Sequence, residues 1–292
     1  MELLLGIILN GLAVGAMYAM GTISLSMVWG SMGMLNLAHG AILTLGAYAS
    51  FLAVERLGLP WWTGIVPSVL VGVLCGLALY GGVVRWIYSK PNFPINTVIA
   101  TLAASALVQN AIDTSIGAEF HVQPLSFSGS FHLAHVGIRW QPLVVLLSAC
   151  AMTVLVSLFL SRTRAGRAIR AVSQQREAAA LMGISVPSTY IQIMVISGLV
   201  SAVSGLLLTG MTTIYPTVGG APTVKALIIC TVAGLGSIWG ATGAALAFGT
   251  IEVAVQYLFG ARFGAPVTLA VAICILIWRP YGLFGASSGI RL

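Results

Sequence analysis

A few polar side chains interrupt long apolar stretches of this chain, and their spacing limits the chemistry open to them. In the segment Gly30–Ser50, GSMGMLNLAHGAILTLGAYAS, Asn36 and His39 lie three residues apart. On a helix that spacing puts an amide and an imidazole on one face. Thr44 and Tyr48 follow at roughly helical intervals, Gln109 and Asn110 stand in a later apolar run, and Glu252 and Gln256 form an i, i+4 pair near the end of another. Lipid cannot satisfy such groups. They either tie helices together through hydrogen bonds or line a path for a polar solute. Both readings stay open for Asn36, His39, Thr44, Gln109 and Asn110. Glu252 is the one acidic residue deep in an apolar run and stands alone there. A local hydrogen bond near a span end suits it better than proton coupling.

Other chemistries find no residues. The only lysines, Lys90 and Lys225, do not follow a GxxxxGK[ST] spacing, so the chain is not expected to bind ATP. No GxSxG, HExxH or paired-carboxylate arrangement supports an enzyme. The segment Asp113–Trp140 carries His121, His132, His135, Asp113 and Glu119. His132 and His135 make an HxxH, but Gly129 and Gly137 bound it closely and no acidic ligand lies near in sequence. It reads as a solvated loop with no metal site. Cys75, Cys150, Cys230 and Cys274 lie in apolar runs without CxxC partners and read as small buried side chains.

The elements that must position these residues are membrane helices. The 292 residues are 59% hydrophobic and 7% charged, against roughly 25% charged in a soluble domain. So little charge cannot coat a water-facing surface. Continuous apolar runs, rather than alternating ones, disfavour a barrel. The fold class is an all-α polytopic membrane protein with about 8–10 spans in a single domain. Expected spans are about 3–29, 34–54, 62–84, 95–112, 142–160, 190–214, 224–235, 239–258 and 266–278. The opening MELLLGIILNG lacks a basic n-region and reads as a retained first span. The run 224–235 is too short to cross ~30 Å of hydrocarbon upright. The glycine-rich GLGSIWGATG follows it, so a broken or re-entrant helix is expected in the second half. Gly11 with Gly15, and Gly72 with Gly76, make GxxxG pairs suited to close helix approach.

The stretch Arg162–Gly183, RTRAGRAIRAVSQQREAAALMG, is the long polar segment between spans. It holds five of the thirteen Lys and Arg residues. Placing it in the cytoplasm and alternating outward leaves nine of the thirteen inside: Arg85, Lys90, Arg162, Arg164, Arg167, Arg170, Arg176, Arg279 and Arg291. Positive charge confined this way is a topology signal rather than a nucleic-acid one. Its good helix formers, ended by Gly183, make it a helical cytoplasmic docking surface at about 162–188. The segment at about 113–140 is then extracytoplasmic.

These segments together resemble the branched-chain amino acid permeases of ABC transporters, LivH-type subunit. GSMGMLNLAHGAILTLGAY is similar to the family's early signature and SRTRAGRAIRAVSQQREAAALMGISV to its coupling loop. Within the latter, Glu177, Ala178 and Ala179 with Gly183 match the EAA-three-residues-Gly pattern. YPTVGGAPTVKALIICTVAGLGSIWGATGA and RPYGLFG, Arg279–Gly285, are similar to its late segments. The resemblance implies a second related permease, two cytoplasmic ATPases that consume ATP-Mg, and an extracytoplasmic solute-binding protein, all at a bacterial cytoplasmic (inner) membrane. It implies ATPase coupling through Arg167, Arg170, Arg176, Glu177, Ala178, Ala179 and Gly183, with the helix 174–182 moving as a rigid lever. The solutes would be branched-chain amino acids or related amides and organic acids. The competing expectation is a stand-alone carrier or channel, in which Glu252 would be the coupling group.

Overall fold

Six prolines fall within helices, Pro67, Pro94, Pro142, Pro187, Pro222 and Pro266, and each lies in the first turn. There the missing N–H costs no hydrogen bond, so the apolar runs behind them wind uninterrupted. The computed structural model describes residues 2–124, 129–133 and 136–284. Its helices are α1 (Glu2–Met32), α2 (His39–Glu55), α3 (Ile65–Leu79), the single turn α4 (Arg85–Ile87), α5 (Phe93–Ser115), α6 (Trp140–Arg162), α7 (Arg164–Gln174), α8 (Arg176–Leu181), α9 (Val186–Thr209), α10 (Gly220–Ala233), α11 (Ile238–Phe259) and α12 (Gly264–Trp278). A π-helical segment, Tyr80–Val84, joins α3 to α4, so Trp61–Ile87 crosses as one span. Among the described residues, seven helical segments are long and apolar enough to cross a membrane. The short helices α2 and α10 join them in one bundle, as an all-α polytopic membrane protein should have.

Helices α1, α9 and α11 are largely buried at the centre, while α12 is mostly exposed. Small residues set this packing, because van der Waals contact rather than hydrophobic exclusion holds helices together in lipid. A Cβ added to Gly11 would lie 2.6 Å from Thr250 Cα, and one on Gly15 equally close to Leu246 Cα, so the first GxxxG pair seats α1 on α11. The second pair seats α3 on α9: a Cβ on Gly72 would lie 2.6 Å from the Gly198 carbonyl oxygen.

Two helices begin inside the bundle. The expected span from residue 34 is helical only from His39. Gly33 adopts φ +66°, and Asn36 Oδ1 accepts the Ala38 N–H at 3.1 Å, a side-chain turn that competes with helix. After α9, the chain pairs Thr213–Ile214 (β4) antiparallel with His121–Val122 (β1), where the sequence had suggested helix to 214. It then dips back so that α10 starts against the start of α2, with Gly219 N–H donating to Thr44 Oγ1 at 3.1 Å. From this junction α2 runs toward β1. Helix α10 runs toward the opposite end, where Gly236 packs on Gly30. This is the broken helix expected in the second half. Its counterpart, α2, is a second one that the sequence did not disclose. Strands β2 (Ser130–Leu133) and β3 (Val136–Arg139) form a hairpin; His135 and Arg291 lie outside the described residues, as does Gly285 of the C-terminal motif.

Candidate functional site

Three polar constellations emerge from this frame. The first is the arginine-rich segment. Thr163 caps α7 by accepting Gly166 N–H at 2.9 Å, and Gly166 lies against the backbone of Phe159 and Leu160 where α6 folds back. Ile169 and Val172 of α7 and Ala179 of α8 join the core cluster that includes Val186, Tyr190 and Met194. The expected single lever is in fact two helices, because Gln175 is extended at φ −156°, ψ 103°. A straight helix over these residues would carry its far end off the bundle. The break lets both short helices keep an apolar face on it. Gly183, at φ +84°, ends α8, and Ile184 N–H donates back to Ala179 at 3.0 Å.

The residues expected to couple divide by their surroundings. Glu177 and Arg167 are exposed, and beside them Leu181 and Met182 are 89% and 83% exposed. Ala178 is half-buried and Ala179 buried, so the two alanines face the bundle. Arg170 donates to the Leu160 carbonyl and so braces the α6–α7 corner. Arg176, one of the residues expected to couple, is exposed and packs back along the chain. Its guanidinium lies 4.9 Å from the Tyr88 ring and 6.0 Å from the Tyr190 ring, and donates to the Tyr88 carbonyl at 3.1 Å. Nothing in the local sequence announces that contact, since Tyr88 is 88 residues away.

The second constellation is a buried knot at the helix junction. His39 Nδ1 lies 2.6 Å from Ser201 Oγ and 3.4 Å from Ser24 Oγ, and Ser24 Oγ is 2.8 Å from Ser197 Oγ. These serines sit one turn apart on α9 and opposite on α1, so three helices close on one imidazole. Asn36 is buried but lies in the turn before α2, not on a helical face with His39. Thr44 accepts from Gly219, tying α2 to α10. Gln109 and Asn110 are not part of this knot. Among the described residues Gln109 Nε2 reaches Ser105 Oγ at 3.4 Å, and Asn110 is exposed and donates to the Ala106 carbonyl within its own helix. Cys150 and Cys274 also face outward rather than inward; only Cys230 of the four is buried.

The third constellation corrects the reading of Glu252 as solitary. Lys225 of α10 donates to Glu252 Oε1 of α11 at 2.7 Å and to Tyr18 Oη of α1 at 2.6 Å. Tyr18 Oη in turn donates to Glu252 Oε2 at 2.9 Å. Gln256 reaches Glu252 Oε1 at 3.4 Å, which is the expected local bond. Lys225–Glu252 is the one ion pair found among the described residues, and with Tyr18 it fixes the short α10 to the two central helices. Periodicity could not find it, because the partners belong to different runs. The signal was a lysine and a glutamate each alone in apolar sequence, which at membrane depth must pair.

The sequence model of the family described as the branched-chain amino acid transport system / permease component matches residues 7–278. The chain is 28% identical to the high-affinity branched-chain amino acid transport system permease protein BraD of Pseudomonas aeruginosa, over 95% of this chain and 94% of that one. It is 27% identical to the LivH permease protein of Escherichia coli, with 94% of each covered. Among solved structures, PsaBC from Streptococcus pneumoniae in complex with Fab superposes with a TM-score of 0.51 at 16% identity, covering 92% of this chain and 89% of that one, a likeness of fold. With its bundle of membrane-spanning helices and a match across nearly its whole length, this chain belongs to the branched-chain amino acid transport system permease family and is a multi-pass membrane transport subunit.

Proposed function

We propose that the chain is one permease half of an ATP-driven importer of the bacterial cytoplasmic membrane, passing branched-chain or related amino acids released by an extracytoplasmic binding protein. A second, related permease completes the membrane part. Two cytoplasmic ATPases bind and hydrolyse ATP-Mg, and this chain holds no nucleotide of its own. The stretch at about 162–188 faces the cytoplasm and that at about 113–140 the outside, by the distribution of arginine.

The observation that carries this reading is the α7–α8 pair. It lies on the bundle by its apolar face and offers Glu177, Leu181 and Met182 outward at one tip. An acidic group beside two exposed apolar side chains suits a partner groove, not lipid or water. ATP-driven closure of the ATPases would push on this tip, and α7–α8, packed through Ile169, Val172 and Ala179, would pass the displacement to α9 and α1. The pairing of Glu252 with Lys225 supports this over a proton-driven carrier, whose coupling carboxylate must be free to take up and release a proton.

The test is ATP hydrolysis by the chain co-assembled in lipid with ATPases and a paired permease, with and without loaded binding protein. Stimulation that disappears in Glu177→Arg is the expected result. No association with any ATPase, or full coupling in that variant, overturns the reading.

A further inference from the structure

The span Trp61–Ile87 and the helix after it form a hairpin that is open along part of its length. The span runs to the turn 88–93, and α5 returns from it. Helix α5 packs on α2 and on the Tyr80–Ile87 end of the preceding span rather than along α3. The wedge left between α3 and α5, floored by α2, is a cavity of about 270 Å³. Its lining is apolar apart from the Cys75 thiol, with Ile42, Leu79, Val83, Ala104 and Leu107 among the walls. At the turn, the same hairpin meets the break between α7 and α8 in an open cleft of about 760 Å³. Ser89, Lys90 and Asn92 stand on one side of that cleft, and Arg176 and Glu177 on the other. Lys90 is exposed, and its ammonium has no partner among the described residues. The Tyr88 ring and carbonyl hold the Arg176 guanidinium, which has five N–H groups and keeps some of them free to donate. Two cations against one carboxylate leave the cleft with one positive charge in excess. Phe93 of the cleft and Ala104 and Leu107 of the wedge share one face of α5, about three to four turns or roughly 16–21 Å apart. That separation is comparable with the hydrocarbon depth of one leaflet, half of ~30 Å.

We propose that this hairpin holds one anionic phospholipid of the cytoplasmic leaflet, with its phosphate between Lys90 and Arg176 and one acyl chain in the wedge between α3 and α5. The inference rests on the sidedness given by the arginines and not on the transported solute. Each end of the site fits one end of the lipid. The wedge lies within the spans and offers no backbone or side-chain group that a polar solute needs, so a hydrocarbon chain matches its walls. The cleft lies at headgroup level, where the exposed Trp86 marks the end of the span. A phosphodiester carries the one negative charge that the cleft lacks, and a guanidinium beside an ammonium suits its oxygens. A zwitterionic headgroup brings its own cation and leaves the excess unbalanced. The site therefore prefers phosphatidylglycerol to phosphatidylcholine. Bound there, the lipid ties the turn 88–93 to the start of α8 and fills the seam that the helices leave open.

The experiment titrates the whole delipidated chain in detergent with dioleoyl phosphatidylglycerol or dioleoyl phosphatidylcholine, and native mass spectrometry reads the binding of one lipid. Phosphatidylglycerol should bind at least fivefold more tightly. Lys90→Gln should weaken it at least fivefold and leave phosphatidylcholine within twofold. Arg164→Gln removes an exposed arginine that does not line the cleft and should change neither lipid beyond twofold. Ala78→Trp fills the wedge from its exposed side and should weaken both lipids at least threefold. Glycerol phosphate, which has the phosphate without the chains, should not displace the lipid. Equal affinity for the two lipids overturns the proposal. So does phosphatidylglycerol binding within twofold of wild type in Lys90→Gln or in Ala78→Trp, or an equal loss in Lys90→Gln and Arg164→Gln. Displacement by glycerol phosphate would show a site for soluble phosphates and overturns it as well.

Discussion

Arg176→Ala tests how α8 is held to the bundle. In the native chain the guanidinium covers the Tyr88 ring at 4.9 Å, approaches the Tyr190 ring at 6.0 Å and donates to the Tyr88 carbonyl at 3.1 Å. At a water-exposed site one cation–π contact is worth about 0.5–1 kcal/mol. A charged hydrogen bond adds about 1 kcal/mol once solvent competition is allowed for. The second ring, at the edge of the useful range, is left out. The loss is then about 1.5–2 kcal/mol, or about 13–30-fold in the equilibrium between docked and released α8. Hydrogen exchange of residues 164–183 in lipid reads this equilibrium directly, and Arg176→Ala should raise it by that factor. Arg176→Lys keeps the charge but loses the planar stacking, so it should fall between the two. Transport per ATP should fall in the same order, because a released α8 takes up the stroke without passing it to α9. Unchanged exchange together with unchanged transport per ATP would refute the idea that this arginine links the coupling segment to the bundle.

Three further outcomes are expected. Ser201→Ala removes the closest partner of His39 Nδ1 and should lower the stability of the detergent-solubilised chain by about 0.6–1.7 kcal/mol, the range for hydrogen bonds between membrane helices; thermal unfolding measures it. Gly205→Leu should abolish a stable bundle, since even its Cβ would strike the Leu43 carbonyl, whereas Gly6→Ala, with nothing within 4 Å, should be neutral in the same expression and unfolding assay. Gly183→Ala forces a side chain into φ +84° and should cost about 1 kcal/mol, seen as faster proteolysis after α8 without loss of the spans.

What the sequence disclosed, and what it did not, follows from the range of the interactions involved. Span existence, proline placement, the glycine pairs of α1 and α3 and the Gly183 stop are local facts, written within one or two helical turns. The helix start at His39 was also local but was hidden, because Leu35, Leu37 and Ala38 are apolar enough to pass for helix. Only the Asn36 side chain, bonded to Ala38 N–H, reveals the turn. The break at Gln175 was invisible for the opposite reason: glutamine is a good helix former, and tertiary packing of Val172 and Ala179 overrode it. Several of the long-range polar contacts join residues far apart in the chain: Arg176 to Tyr88, His39 to Ser201, Lys225 to Tyr18. No periodicity encodes a partner at such distance. Yet each involved a polar residue that its own run could not satisfy, and in lipid an unsatisfied group must find its partner on another helix. A solitary lysine and a solitary glutamate in two apolar runs are therefore one observation, not two. Gln109 and Asn110, by contrast, make local bonds within α5, to the Ser105 hydroxyl and the Ala106 carbonyl.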